Sequence, residues 1–267
     1  MKELIFIKLG GSLITDKNKP FTARYDVIDR LAMEIHEARE EKKMKLIVAH
    51  GGGSFPHIPA NKFKVHNGVL GEQSHRGIAE VQSAAAKLNR IIVNSLLRAG
   101  ENAISVQPSA CMLSRNGQIV DFYMKPIKEM LEHNLIPVPY GDVSFDLKKG
   151  CAIISTEKIL SFLAPKLKPK RIIVAGLTNG VFTSDPNLTA DAELIQEITP
   201  STFNKIKKHL KGSHGIDVTG GMLHKVETLV ELARLGIESQ ILSGLKEGNL
   251  KVALLGNKEI GSRVRAG

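Results

Sequence analysis

Three glycine turns, each close to a lysine or a histidine, hold the residues best suited to chemistry. Lys8-Leu9-Gly10-Gly11-Ser12 closes an apolar run at the start of the chain. Glycines there let backbone N–H groups approach an anion closely, and Lys8 brings charge to phosphate oxygens. A plain strand-to-loop turn gives the same letters. The second turn, His50-Gly51-Gly52-Gly53-Ser54-Phe55-Pro56-His57, follows the apolar Leu46–Ala49. Three consecutive glycines carry an entropic cost that a simple turn does not require, so a phosphate cradle explains them better. His57, just past the cradle, is either a hydrogen-bond donor to an acceptor phosphate or an ordinary satisfied histidine. The third, Asp217-Val218-Thr219-Gly220-Gly221-Met222, opens a helical pattern with Lys225 one turn in. A helix start offers free N–H groups and the positive end of its dipole to an anion, and Lys225 faces the same phosphates.

Glycine cradles with Lys8, Lys17 and Lys225, and no nucleophile motif, describe a site that handles phosphates by position and charge. Phosphoryl transfer asks for little else, because its loose transition state spreads charge over oxygens that cations and N–H groups hold. The turns match neither GxxxxGK[ST] nor GxGxxG, and no GxSxG or HExxH competes. No metal-ligand set is read from the chain. Thr178-Asn179-Gly180-Val181-Phe182-Thr183-Ser184-Asp185-Pro186 is rich in turn formers and by itself reads only as a loop.

These turns need strands to deliver them. Apolar runs at Leu4–Leu9, Leu46–Ala49, Ala103–Val106, Ile136–Pro139, Ala152–Ile154, Arg171–Ala175 and Ser239–Leu242 read as buried strands. Helical spacing covers Tyr25–Lys42, Ile78–Leu97 and Leu223–Leu235. Strands alternating with helices predict an α/β fold whose mainly parallel sheet is covered on both faces, with ligands at the carboxyl ends of the strands. The Pro- and Lys-rich Ala164–Lys170 opposes helix continuation and divides the chain into lobes 1–165 and 166–267.

Composition narrows the function classes. Of the 267 residues, 42% are hydrophobic and 24% charged, as in an ordinary globular protein with a large core. Cys111 and Cys151 stand far apart without CxxC spacing, so both are expected as buried small residues rather than disulfide or zinc partners. The N-terminus lacks a long apolar signal region, and no run approaches about 18 apolar residues, so a cytoplasmic enzyme with no membrane span is expected. A net charge of +10 raises the prospect of nucleic acid, but aromatics are 4% and Trp is absent, leaving little for base stacking. A solvated basic surface that attracts anionic substrates fits better.

With these motifs in hand, the chain resembles the amino acid kinase family and, within it, the isopentenyl phosphate kinases. The likeness runs through KLGGSLITDK, HGGGSFPH, SVQPSA at Ser105–Ala110, PVPYGDV at Pro137–Val143, NGVFTSDP, IDVTGGMLHK and the closing Leu254-Leu255-Gly256. The resemblance implies a three-layer αβα sandwich with a mainly parallel central sheet, a homodimer, and Mg²⁺-dependent transfer from ATP to isopentenyl phosphate. The acceptor and the dimer contact would lie in the N-terminal lobe, the nucleotide in the C-terminal lobe. It further implies that Lys8 and Lys225 contact the transferring phosphates and that Lys17 stabilises the transition state. Gly10, Gly11, Ser12, Gly53 and Gly221 would cradle ATP, with Asn179, Phe182 and Asp185 on the nucleotide loop, while Gly52, His57 and Thr156 hold the acceptor.

Three positions depart from the family pattern. Ser155-Thr156-Glu157-Lys158 replaces the usual Ser-Gly-Asp-Asp, so the Thr156 hydroxyl either stands in for a backbone contact or narrows the pocket. Glu157 either orients the lysines or is a solvated helix residue. Gly176-Leu177-Thr178-Asn179-Gly180 lacks the family's two acidic residues, and Pro56 replaces a glycine and removes an N–H. Ile78, Ala84 and Ala85 stand where relatives often carry aromatics around the acceptor tail. Rival readings are a same-fold kinase for a fosfomycin-like phosphonate or other small acid, and a non-catalytic ligand-sensing or nucleic-acid-binding protein.

Overall fold

Along β1 (Glu3–Leu9) successive side chains enter two different cores: Ile5, Ile7 and Leu9 one, Phe6 the other. This alternation is the period-2 geometry of a strand buried on both faces. The computed structural model describes residues 2–184, 186, 188, 191–210 and 221–267. After β1 come a one-turn helix α1 (Gly11–Ile14), α2 (Tyr25–Glu41) and β2 (Met44–His50). The short α3 (His57–Lys62) and long α4 (Glu72–Arg98) lead to β3 (Ala103–Val106). Then follow β4 (Met112–Arg115), β5 (Gln118–Phe122), α5 (Lys125–Glu132), β6 (Ile136–Pro139), β7 (Asp142–Asp146), β8 (Gly150–Ile154) and α6 (Thr156–Leu167). The remainder holds β9 (Arg171–Gly176), β10 (Val181–Phe182), β11 (Leu194–Ile195), β12 (Glu197–Ile198), α7 (Pro200–Leu210), α8 (Gly221–Arg234), β13 (Glu238–Ser243), α9 (Asn249–Leu255) and β14 (Ser262–Val264).

The central sheet has the order β12-β14-β13-β9-β1-β2, and every pairing in it is parallel except β13 with β14. A parallel bridge from His50 to Tyr140 carries it on to β6, which pairs with β3. Leu31 and Ile35 of α2, Leu88 and Ile92 of α4, and Leu250 and Leu254 of α9 cover one face. Ile159 and Leu163 of α6 and Val226 and Val230 of α8 cover the other. The expected αβα layering is therefore present. A second, mixed sheet has the order β5-β4-β7-β8.

Helix α6 runs through Pro165 to Leu167 instead of stopping before it, and Lys168 then ends the helix at φ +50°. Both parts of the chain supply the central sheet, since β1 lies between β2 and β9. Cys151 is buried as expected, whereas Cys111 is partly exposed and donates its thiol to the Gln107 carbonyl at 3.3 Å. Among the described residues no helix is long and apolar enough to cross a membrane.

Candidate active site

The parallel register Leu9 to His50 brings the C-terminal ends of β1 and β2 side by side, so their glycine turns emerge in contact. Gly51 donates to Leu9 O at 2.9 Å and Gly10 to Ala175 O at 2.8 Å, which pins both turns to the sheet end. A Cβ on Gly11 would lie 2.5 Å from the Gly53 nitrogen, and one on Gly51 2.8 Å from the Gly11 nitrogen. Glycine is thus required by backbone lying on backbone, a reason the sequence does not reveal. Gly53 adds a left-handed φ of +54°. Among the described residues, the N–H groups of Gly11, Ser12, Gly52 and Gly53 have no protein acceptor. Such donors at a strand end form a ready anion site.

Charge is delivered from three more elements. Lys8, near the end of β1 and 4% exposed, places Nζ 2.7 Å from Oε1 of Glu157. Glu157 stands in the first turn of α6, whose cap Ser155 accepts the Lys158 N–H. Burial works against the Glu157 charge, but Lys8 and then Lys225 of α8 overcome it and hold the carboxyl below its ordinary range. Glu157 is thus engaged by Lys8 rather than standing as a solvated helix residue. Lys17 sits exposed at the rim, and His57 opens α3 directly after Pro56. Lys8, Gly10, Gly11, Ser12, Lys17, Gly52, Gly53, His57, Thr156 and Lys225 all line one cavity of about 230 Å³.

The end of the cavity at His57 and Thr156 has its own features. Pro56 packs over Gly52, where an added Cβ would meet the proline Cγ at 2.3 Å. The Thr156 hydroxyl donates to His50 O at 2.7 Å, so its hydrogen is committed inward, away from any acceptor. Ala60, Val81 and Ile153 give the cavity an apolar wall continuous with a small satellite core. On α4 it is Val81 that reaches the cavity; Ala84 joins the main core, Ala85 is buried, and Ile78 packs on the satellite core.

Asp142 also lines the cavity and was not anticipated. Burial pushes its carboxyl up to about 6, although the Ser109 and Val143 N–H groups, at 3.1 and 2.8 Å, pull the other way. The only sequence signal was one acid inside the apolar stretch PVPYGDV.

At the end of β9, Gly176, Leu177 and Thr178 line the cavity, while Asn179 is exposed and Phe182 pairs in β10 with β11, both off the wall. Asp185 and the turn 217–220 lie outside the described residues; Gly221 begins α8.

The model of the amino acid kinase family matches residues 3–243. The isopentenyl phosphate kinase of Methanocaldococcus jannaschii is 37% identical over 263 residues, 96% of each chain. That of Methanothermobacter thermautotrophicus is 34% identical over 269 residues, 98% of each. A crystallographic isopentenyl phosphate kinase at 32% identity superposes with a TM-score of 0.84, covering 98% of this chain and 99% of the other.

Proposed function

Because the chain belongs to the amino acid kinase family, we propose that it transfers the γ-phosphoryl group of ATP to isopentenyl phosphate, giving isopentenyl diphosphate and ADP. The observation that carries this reading is the composition of the one cavity. Unengaged N–H groups and the Lys8–Glu157–Lys225 group occupy one part, and the apolar Ala60, Val81 and Ile153 stand beside His57 in another. A phosphate carrying a short hydrocarbon tail matches both parts. The relatives' names agree with this assignment.

In the reaction an acceptor phosphate oxygen bonds to Pγ as the bond from Pγ to the bridging oxygen breaks, and ADP leaves. Gly52 and His57 donate to the acceptor phosphate and fix its position. Gly10, Gly11, Ser12, Gly53 and Gly221 hold the nucleotide phosphates, and Lys8 and Lys225 neutralise the group in transit. Asn179, Phe182 and Asp185 are assigned to the nucleoside end. Thr156 acts by shaping the acceptor wall. Lys17 meets the charge that develops as the bond breaks. Glu157 pairs with Lys8 and attracts Lys225, orienting both.

Mg²⁺ accompanies ATP in this reading. No cluster of three or more His, Cys, Asp or Glu side chains suited to a metal forms among the described residues, and Glu157 is engaged by Lys8. The ion would enter on the nucleotide's own oxygens and water rather than on a protein cage. Residues 1–165 then serve the acceptor and a homodimer contact, residues 166–267 the nucleotide, in a cytoplasmic enzyme. The test is ADP release from Mg-ATP with isopentenyl phosphate, dimethylallyl phosphate, fosfomycin, UMP and N-acetylglutamate in parallel. Turnover of the prenyl phosphates is expected; turnover confined to fosfomycin or N-acetylglutamate, or none, would reject it.

A further inference from the structure

His50, the last residue of β2, is 1% exposed and takes no part in the chemistry above. Both of its ring nitrogens are nevertheless held. Asn89 of α4 places Nδ2 3.1 Å from Nε2 of His50 and 3.0 Å from the Val138 carbonyl, while Nδ1 of His50 lies 3.0 Å from the Gly51 carbonyl. The imidazole also stacks on Tyr140, with centroids 5.5 Å apart and planes 14° from parallel.

Two carbonyls settle where the protons are. The Val138 oxygen only accepts, so the Asn89 group facing it is the NH₂, whose second hydrogen points to Nε2. Nε2 therefore carries the lone pair. The Gly51 oxygen also only accepts, so Nδ1 carries the proton and donates it. Burial lowers the imidazole to about 4, outweighing the Gly51 bond, and the ring stays neutral near pH 7.

This bond has a directional consequence. A trans peptide points its C=O and the following N–H in opposite directions within one plane, and no described peptide bond is cis. Holding the Gly51 oxygen toward His50 turns the Gly52 N–H the other way. Gly52 lines the cavity, and that N–H meets no protein acceptor among the described residues. A Gly-Gly peptide is otherwise free to rotate, since neither residue has a side chain to anchor it. The His50 carbonyl meanwhile accepts from the Thr156 hydroxyl at 2.7 Å and the Gly141 N–H at 3.2 Å, fastening the same residue to the facing wall.

We propose that His50 is a positioning residue of the acceptor cradle: its Nδ1–H clamps the Gly51 carbonyl and thereby aims the Gly52 N–H at the acceptor phosphate. The proposal rests on the assignment of Gly52 to that phosphate. His50→Asn keeps an amide donor near the Nδ1 position, whereas His50→Gln carries its amide farther out, near Nε2, and loses the clamp. The Gln variant is expected to raise the KM for isopentenyl phosphate about tenfold or more, the worth of one charge-assisted hydrogen bond, with the KM for ATP unchanged. The Asn variant is expected to stay close to wild type.

A general loss of structure would instead raise both KM values in step with a lowered Tm, and that result, or a wild-type acceptor KM in the Gln variant, overturns the proposal. Should both variants fail to fold, ¹⁵N NMR of histidine-labelled wild-type protein decides. One ring in the neutral Nδ1–H form, not titrating near pH 7, is expected; an Nε2–H or charged ring at this position overturns the clamp. Absence of wild-type turnover of isopentenyl phosphate would fell the functional reading alone, and the tautomer would still judge the clamp.

Discussion

Nζ of Lys8, near the end of β1, lies 2.7 Å from Oε1 of Glu157 in the first turn of α6. The pair is largely shielded from water, with side chains 6% and 18% exposed, and Lys225 adds its field to the same carboxylate. Two lysines sharing one half-enclosed site repel each other unless an anion stands between them. Glu157 supplies that anion before any phosphate arrives.

Replacing Glu157 by Gln keeps the shape and removes the charge. Lys8 then loses its carboxylate partner in the free enzyme, and the alignment of the lysines on the transferring group loosens. A fall in kcat of about ten- to a hundredfold is expected, the scale of losing one electrostatic contributor at a reacting centre. Steady-state kinetics on the purified variant give the answer; a wild-type kcat would show that the lysines are held by something else.

Gly53 tests why the cradle is made of glycine. At its φ of +54° a Cβ would lie 2.1 Å from Thr15 Oγ1 and 2.7 Å from the Gly11 carbonyl, and that hydroxyl is already engaged by the Ser54 N–H at 3.0 Å. Gly53→Ala should therefore destabilise by about 2 kcal/mol or more, from left-handed strain and overpacking together. Gly71 is the control: its backbone is extended and an added Cβ meets nothing within 4 Å, so Gly71→Ala should fall within about 0.5 kcal/mol of wild type. Urea denaturation of the two variants separates them.

Much of this arrangement could be read from the chain alone, for physical reasons. Strands of a parallel sheet buried on both faces are unbroken apolar runs, so β1, β2, β9 and β13 announce themselves. The second sheet is legible only at β8, read from Ala152–Ile154. β5 exposes most of its residues, and its partner β4 is only four residues long without an apolar run. The lysines and glycine turns were visible because local motifs mark them. The pairing of Lys8 with Glu157, the lifted carboxyl of Asp142 and the clamp on His50 were not, since each depends on burial and on residues brought together from distant parts of the chain. The choice of Val81 over Ala84 and Ala85 as the cavity-facing residue of α4 turned on helical phase, which periodicity alone does not set against a ligand.

Asp142 makes stability depend on pH with a defined sign. Burial raises its carboxyl from 3.8 to about 6 in the folded protein. The folded state therefore holds a proton that the unfolded chain has released across this window, and stability from this group is fully present below 3.8 and declines as pH rises to about 6. The loss is on the order of 3 kcal/mol and is constant above the window. Asp142→Asn removes the titration. Its Tm relative to wild type should rise from pH 4 to pH 6 and level off above; parallel melting curves across that range would mean that Asp142 does not titrate there.

Lys17 and His57 separate binding from chemistry within the same cavity. Lys17 is exposed at the rim, and a charge in open water contributes little to a resting complex. Its proposed work is done when charge develops on the transferring group, so Lys17→Ala should lower kcat about a hundredfold while leaving the KM for ATP nearly unchanged. His57, which follows Pro56 and lines the cavity, is proposed to hold the acceptor phosphate, and losing its donor should raise the KM for isopentenyl phosphate more than it lowers kcat. Measuring both constants for both substrates in the two variants tests the division. If Lys17→Ala instead abolished ATP binding with kcat intact, the lysine would belong to the ground-state nucleotide site, and the charge of the transition state would rest on Lys8 and Lys225 alone.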